Sequence, residues 1–161
     1  MPTAIAPPVQ DPPSLAFAFE MRLQVGTPLE LGDVGDGRRR IIPIAGGTFE
    51  GPGIKGTILP GGADWQMVRD DGVAEIDARY TLQTDTGQLI YIRNAGVRHA
   101  PPEVMRKLLA GEEVNPSSVY FRTVPTFETS APELEELTRA VYVASGERHQ
   151  TEVVIRVWRI Q

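Results

Sequence analysis

Short β-patterned runs, broken by glycines, fill residues 38–98 and constrain the fold more than any other feature of the chain. The segment begins RRRIIPIAGGTFEGPGIKGTILPGGADWQ and continues after a short gap as VAEIDARYTLQTDTGQLIYIRNAGVR. The pairs Gly46-Gly47 and Gly61-Gly62 suit the tight corners of a curved sheet. Polar side chains share these runs with Val, Ile and Leu, which indicates a closed sheet whose cavity carries a few hydrogen-bonding groups. They are Asp64, Asp77, Arg79, Tyr80, Tyr91, Asn94 and Arg98.

The clearest single element is a hairpin that turns at residues 85–87 (Asp-Thr-Gly). A three-residue hairpin loop needs a left-handed residue, and glycine adopts that conformation at the least cost. Closing the turn with Thr84 opposite Gln88 determines the register of both strands. The predicted cross-strand pairs are Thr81 with Tyr91, Arg79 with Arg93, Leu82 with Ile90, and Tyr80 with Ile92.

This register divides the hairpin into two unequal faces. We assign to the interior the face on which only Tyr80 and Asn94 are polar; its other members are Ile76, Ala78, Leu82, Ile90 and Ile92. The opposite face carries Glu75, Asp77, Arg79, Thr81, Gln83, Leu89, Tyr91 and Arg93. A wet lumen, or a register error of one residue, would invert the assignment and make Asp77 and Arg79 the site.

The remaining pattern predicts a mainly β protein. Strands are expected at 15–26, 40–45 (ended or sharply bent by Gly46-Gly47), 54–59, 119–124, 140–144 and 153–160, and residues 28–40 contain turn residues. Two short helices are expected at 102–110 and 132–138, the second behind a capping box at 130–133. Eight to ten short antiparallel strands indicate a barrel or a sandwich, and we favour a single barrel because closure removes exposed edges. The domain would span 15–161, behind a flexible proline-rich tail at 1–14.

Composition excludes several classes of function. The length of 161 residues suits one domain, and a net charge of −5 argues against nucleic acid as a partner. The apolar runs are too short to span a membrane, and the first residues lack the regions of a secretory signal. Without cysteine there are no disulfides, thiolate nucleophiles or cysteine metal sites, which fits a cytoplasmic protein. The cluster at 38–40 (Arg-Arg-Arg) is interpreted as a solvated loop or strand end.

Two pairs of side chains are candidates for the chemistry. Asp64 and Trp65 follow a double glycine that brings both into a confined space, where Asp64 would act as a general base or anchor and Trp65 would stack on a flat ligand. The alternative is an Asp that caps a turn and a core Trp. Asp77 and Arg79 lie two apart on one strand face, so Asp77 would move a proton while Arg79 holds an oxyanion. A surface ion pair is their alternative role.

A third candidate set comprises Tyr80, Asn94 and Arg98. A phenol and an amide on an apolar barrel face need a partner, and together with Tyr120 they would hold a carbonyl oxygen. Tyr91 and Arg122 complete the predicted substrate-binding residues, although satisfied core tyrosines are the simpler explanation. His99 and His149 lack a spaced carboxylate partner, so no metal site is predicted. The chain also lacks a P-loop, a G-x-G-x-x-G motif and a G-x-S-x-G elbow.

Four motifs in order resemble the DUF3237 family, also known as UPF0311, over residues 15–160. They are IIPIxGGTFEGP at 41–52, GxxLPGGADWQ at 56–66, DARYxLxTDxGxLIYIRNxGxR at 77–98, and PxxxYFRTxPxFET at 116–129. The resemblance implies a compact, calycin-like antiparallel barrel that forms a homodimer or higher homo-oligomer, and it implies no activity. The chain departs from the family pattern at Thr138, where members often carry an asparagine, so a site that uses this position would be altered.

Three functions fit these residues. The preferred one is a cofactor-free enzyme of the isomerase, cyclase or lyase/hydratase type, which moves a proton on a small apolar or aromatic metabolite bound in the barrel. The alternatives are a non-catalytic, lipocalin-like binding protein and a structural or assembly module. The enzyme is preferred because an ionisable pair in a binding-only pocket adds a desolvation cost without benefit. Its catalytic residues would be Asp64, Asp77, Arg79 and Tyr80, and its substrate-binding residues Trp65, Tyr91, Asn94, Arg98, Tyr120 and Arg122.

Overall fold

The computed structural model describes residues 4–7 and 10–161, and strands dominate it. The strands are β1 (Leu15–Val25), β2 (Leu29–Asp33), β3 (Arg38–Gly51), β4 (Ile54–Ile58), β5 (Gly62–Val68), β6 (Ala74–Thr84), β7 (Leu89–His99), β8 (Tyr120–Glu128), β9 (Tyr142–Arg148) and β10 (Glu152–Ile160). The helices are α1 (Pro102–Leu109) and α2 (Glu136–Arg139), with 3-10 turns at Pro116–Ser118 and Pro132–Leu134. Of the predicted tail, residues 1–3 and 8–9 lie outside the described residues; 4–7 and 10–14 form no helix or strand.

The strands close into an eight-stranded antiparallel barrel, as the sequence predicted. Around the ring the order is β1, β10, β9, β8, β7, β6, then β5 together with β4, and finally β3, which pairs with β1. The short strands β4 and β5 share one position, because β5 pairs with the first half of β3 and β4 with the second half. Both also pair with β6, which completes the ring.

The glycine pair Gly46-Gly47 bends β3 without ending it, so the strand is longer than the predicted 40–45. Pairing with β1 passes from Ile44 opposite Val25 to Gly46 opposite Gln24, which leaves Ala45 as an extra residue in a bulge. A bulge changes which residues face inward, so Ile44 and Phe49 are both buried although they are five residues apart. The strands β2 and β5 were not predicted: β2 lies in a segment whose glycines indicated turns, and the inward-facing residues of β5 include the polar Asp64 and Gln66.

The central hairpin of β6 and β7 confirms its predicted register. Thr84 bonds to Gln88 across the turn, and Tyr80 and Arg79 lie opposite Ile92 and Arg93. Gly87 has a φ of 90°, the left-handed conformation that the three-residue loop requires. The face assigned to the interior is buried throughout, including Tyr80 and Asn94.

Aromatic and aliphatic side chains fill one part of the barrel interior. Phe19 packs edge-to-face on Phe49 and Phe127, with ring centroids 5.9 and 5.8 Å apart. Met21, Leu82, Ile90 and Ile92 are fully buried beside them. The predicted alternation of β1 fails at its start: the register shifts between Phe17 and Phe19, and Leu15 and Phe17 are exposed.

The helices are short, and they lie in the connections from β7 to β8 and from β8 to β9. Helix α1 buries Met105 and Leu108 and matches the predicted helix to within one residue. The second predicted helix is a 3-10 turn followed by one turn of α2, and no side chain caps it: the Thr129 hydroxyl accepts from the N–H of Ala131 instead. In the described ranges, neither helix has the length and apolar character that crossing a membrane requires.

Candidate functional site

The part of the barrel interior that the core leaves open is a cavity of about 50 Å³. Most of its wall is aliphatic: Leu23, Val25, Ile42, Ile44, Ile76, Ala78, Val153 and Ile155, with Phe121. The rest is polar: Asp64, Gln66, Tyr80, Asn94, Arg98 and Arg148. An apolar cavity with a few convergent polar groups is the usual form of a small-molecule site.

Asp64 reaches the cavity because β5 begins with a glycine packed tightly against β6. A Cβ on Gly62 would lie 2.5 Å from the Arg79 carbonyl oxygen and 2.6 Å from the Tyr80 Cβ. Asp64 is the third residue of this strand and is buried, whereas Trp65 is 39% exposed on the outer face. The expectation that both side chains share a confined space is therefore corrected, since adjacent strand residues point to opposite faces.

Both carboxylate oxygens of Asp64 accept hydrogen bonds inside the barrel. The main-chain N–H of Asp77 donates to Oδ1 over 2.9 Å, and Nε2 of Gln66 donates to Oδ2 over 3.1 Å. Burial raises the pKa of the Asp64 carboxyl above its ordinary value, although these hydrogen bonds and the charge of Arg98 act in the opposite direction. Desolvation disfavours the charged form, so Asp64 holds its proton more readily than a surface aspartate does.

Tyr80 and Asn94 lie on the cavity wall from β6 and β7. The Tyr80 hydroxyl donates to Sδ of Met21 over 3.4 Å, which is a weak acceptor. Burial raises the pKa of Tyr80, so the phenol keeps its proton and remains a donor. Oδ1 of Asn94 is buried and has no hydrogen-bond partner in the described part of the chain. Both groups therefore retain hydrogen-bonding capacity for a ligand.

Arg98 is the third predicted residue that the hairpin places on this wall. It is 3% exposed, and its guanidinium carbon lies 5.8 Å from the centroid of the Phe121 ring. Burial lowers the pKa of Arg98 to about 10; the Asp64 charge opposes this, and the charges of Arg40 and Arg148 add to it. The sequence therefore identified Asp64, Tyr80, Asn94 and Arg98 as candidates, and the structure brings these four together.

The structure adds Arg40, Gln66 and Arg148, which sequence reasoning missed. Arg40 was interpreted as solvated, yet it is 4% exposed: its Nε donates to Glu30 over 2.8 Å and its Nη1 donates to Oε1 of Gln66 over 3.0 Å. Two signals in the sequence could have indicated that these residues face inward. Arg40 alternates with Ile42 and Ile44, and Gln66 follows Asp64 by two residues.

Arg148 lies between the cavity and the outside. Its Nη1 donates to the main-chain oxygens of residues 149, 150 and 152. Together with Val25 it lines both the cavity and an open surface pocket of about 350 Å³, which also includes Glu30, Arg40 and the end of α1. The cavity and this open pocket therefore share two wall residues on this side of the barrel.

The other predicted site residues lie on the outer surface. Asp77 forms exposed ion pairs with Arg93 (3.1 Å) and Arg79 (3.4 Å), and although partial burial acts against it, these hydrogen bonds lower the pKa of Asp77. The alternative in which Asp77 and Arg79 line the lumen is thus overturned. Trp65, Arg79 and Tyr91 line an outer pocket of about 400 Å³.

Tyr120 and Arg122 line a separate outer groove with Leu15 and Trp158. Tyr120 is 49% exposed and stacks on His99 with centroids 5.0 Å apart, so it does not join Tyr80 around one oxygen atom. Strand β8 alternates strictly, and its even-numbered residues point outward. Thr138 is also exposed, away from the cavity. No group of three histidine, aspartate or glutamate side chains among residues 4–7 and 10–161 is arranged to hold a metal ion.

Comparison with known sequences places the barrel among relatives of the same size. The family model described as "Protein of unknown function (DUF3237)" matches residues 13–160. The UPF0311 protein RPA1785 of Rhodopseudomonas palustris is 42% identical over 144 residues, which are 89% of this chain and 94% of that protein.

Solved structures show the same fold. The crystal structure of RPA1785, a conserved protein of unknown function, superimposes with a TM-score of 0.90 over 94% of this chain and 100% of that chain at 39% identity. A beta-barrel like protein of Acinetobacter baumannii (ABAYE2633) has a TM-score of 0.82 and 41% identity, covering 98% and 100%. An enzyme from Penicillium herquei has a TM-score of 0.71 at 21% identity, covering 97% and 100%, and shows the fold alone.

Proposed function

This chain belongs to the DUF3237 family, and from the geometry of its cavity we propose that it is an enzyme that moves a proton on a small apolar or aromatic molecule inside the barrel, using its own side chains and no cofactor. The site would consist of Asp64, Tyr80 and Asn94 on an aliphatic wall. The same geometry supports the isomerase, cyclase and lyase or hydratase types, because all of them begin with proton transfer.

The observation that carries the proposal is the position of Asp64. It is the one carboxylate among the cavity-lining residues, it is buried, and its pKa is raised by that burial. A general acid or base works best when its pKa approaches the operating pH, and a perturbed carboxyl group in a cavity is the usual sign of such a role. A surface carboxylate such as Asp77 offers neither the burial nor the contact with a ligand.

Tyr80 and Asn94 supply the second half of the chemistry. In the proposed reaction Asp64 takes a proton from a carbon next to a carbonyl group, and the electron pair of the C–H bond moves toward the carbonyl oxygen. The neutral Tyr80 hydroxyl donates a hydrogen bond to that oxygen as its charge develops, and Oδ1 of Asn94, unpaired in the described part of the chain, accepts one from a polar group of the ligand. Asp64 then returns the proton to another carbon, which gives an isomer, or the electron pair expels a leaving group, which gives an elimination product.

Solvent proton exchange tests the proposal even when the final product is unidentified. The protein is incubated in D₂O with a panel of small enolisable carbonyl compounds, and deuterium incorporation is followed by mass spectrometry. We expect accelerated exchange in at least one compound, a loss of about 100-fold or more in Asp64→Asn, and retention in Asp77→Asn. The proposal fails if no compound exchanges faster than in buffer, or if Asp64→Asn exchanges as fast as the unmodified protein.

A non-catalytic binding protein is the second candidate, and the aliphatic wall of the cavity favours it. In that case a compound from the panel would bind with measurable affinity and leave unchanged, with neither product nor deuterium detected. The homo-oligomeric state implied by the resemblance stays a prediction under either function.

A further inference from the structure

Arg98 is a buried cation for which residues 4–7 and 10–161 provide no hydrogen-bond acceptor. It is 3% exposed, and no hydrogen bond from its five N–H groups is found in the part of the chain that the structure describes. Its Nε is fully buried and unpaired, and the face of the Phe121 ring is its packing partner. A guanidinium taken out of water needs acceptors, because an unpaired buried charge is among the most costly features that a fold can contain.

Asp64 does not fill this role. Its charge acts on Arg98, but its oxygens accept from the Asp77 main chain and from Gln66 rather than from the guanidinium. The cavity-lining side chains also carry an excess of positive charge, because they include two arginines, Arg98 and Arg148, and one carboxylate, that of Asp64. Arg40, which contacts the cavity-lining Gln66, forms an ion pair with Glu30. Protonation of Asp64, which burial favours, increases the excess further.

We infer that the ligand of this cavity is a small organic acid whose carboxylate is bound by Arg98 and whose apolar part packs on the aliphatic wall. The inference rests on the proposed use of the cavity as a ligand site and specifies the class of ligand. A planar guanidinium matches a carboxylate through two parallel N–H···O bonds, and this pairing uses donors that the protein leaves free. The small volume of the cavity fits a compact acid.

The position of Asp64 adds a second consequence. A carboxylate bound at Arg98 lies in the same cavity as the Asp64 side chain, and like charges disfavour each other's ionised form. Binding of the acid therefore raises the pKa of Asp64 and is accompanied by partial proton uptake, while the fraction of Asp64 that stays ionised serves as the base. An uncharged ligand of the same shape does not change the proton count in this way.

Matched pairs of acids and amides test the inference. Propionate with propionamide, and butyrate with butyramide, are titrated into the 161-residue chain by isothermal calorimetry in two buffers of different ionisation enthalpy. We expect at least one acid to bind 10-fold or more tightly than its amide, with proton uptake. In Asp64→Asn the uptake disappears while the acid still binds.

Two arginine variants of the same strand complete the design. Arg98→Met should remove the preference for the acid, whereas Arg93→Met, which changes an exposed arginine of β7, should retain it. Thermal melting shows that both are folded, and Arg98→Met should melt no lower than the unmodified protein, since it removes an unpaired buried charge. If Arg98→Met melts at a lower temperature, Arg98→Lys provides the test of the inference. Lysine keeps the positive charge but lacks the planar guanidinium that pairs with both carboxylate oxygens. This variant should bind the acid more weakly than the native protein does, and more tightly than it binds the amide.

Acids that bind no better than their amides, or acids that bind Arg98→Met as well as the native protein, overturn the inference. Its failure is distinguishable from that of the proposed function. Tight, Arg98-dependent binding of an acid without deuterium exchange would leave the inference standing and remove the catalytic proposal. Deuterium exchange in a neutral compound, without preferential binding of acids, would support the catalytic proposal and overturn the inference of an acid ligand.

Discussion

The main-chain N–H of Asp77 donates a 2.9 Å hydrogen bond to the Asp64 carboxylate inside the barrel, while the Asp77 side chain lies on the outer surface in ion pairs with Arg93 and Arg79. The main chain of this residue therefore contacts a cavity-lining group, while its side chain forms ion pairs on the surface. The two carboxyl groups that looked equivalent in the sequence have separate environments. Substitutions at the two positions should therefore have separable effects.

Asp77→Asn should leave both stability and the cavity nearly unchanged. Its ion pairs are partly exposed and screened by solvent, and the N–H that holds Asp64 remains. We expect the free energy of unfolding to change by less than about 1 kcal/mol in urea titrations. A loss several times larger would show that the outer ion pairs stabilise the hairpin.

Asp64→Asn should change how stability depends on pH. The folded-state pKa of Asp64 is raised above its unfolded value, so its favourable contribution is fully present below the unfolded value near 3.8 and is lost as pH rises through the folded pKa. Asparagine carries no such dependence. Melting temperatures measured from pH 3 to pH 8 should therefore shift in favour of the variant as pH rises. A difference that is constant with pH would contradict the raised pKa.

Gly62→Ala should destabilise the barrel more than Gly87→Ala. At Gly62 the new methyl group would meet main-chain and Cβ atoms of β6 at 2.5–2.6 Å, which requires the strands to separate. At Gly87 nothing lies within 4 Å, and only the φ of 90° is unfavourable. We expect a cost of about 3 kcal/mol at Gly62 and about 1 kcal/mol at Gly87 in denaturant unfolding. Equal costs would show that β5 is free to move away.

Gln66→Leu should be strongly destabilising because Gln66 joins two buried charges. It accepts from Arg40 and donates to Asp64, and it is 0% exposed. Leucine fits the volume but leaves both partners short of one hydrogen bond. We expect a loss of about 3 kcal/mol in the free energy of unfolding. The matched control Gln24→Leu, on the exposed face of β1, should change it by less than about 0.5 kcal/mol.

Tyr80→Phe should separate activity from stability. The hydroxyl donates only to the Met21 sulfur, so its removal should cost less than about 1 kcal/mol in urea unfolding. If the hydroxyl stabilises a developing negative charge, deuterium exchange should slow by about 100-fold. If Tyr80→Phe exchanges deuterium as fast as the native protein, the Tyr80 hydroxyl has no catalytic role and the side chain only packs in the core.

The register of the central hairpin was predictable because it depends on residues that are close in the chain. A glycine in the turn and two strands of alternating polarity determine which side chains lie opposite each other and which face is apolar. For the same reason Tyr80 and Asn94 were assigned correctly to the interior. Arg40 and Gln66 follow the same alternation, but both are polar residues at inward-facing positions, which concealed it.

The local pattern of this sequence determined that the chain forms short antiparallel strands, where the main hairpin turns, and which of its faces is apolar. Tertiary structure alone decided that Asp64 and Arg98 share one cavity while Trp65 and Tyr120 lie outside. The physical reason is that alternation within a strand is local, whereas the bulges that reverse it, and the strand ends that meet on closure, depend on contacts between residues far apart in the chain.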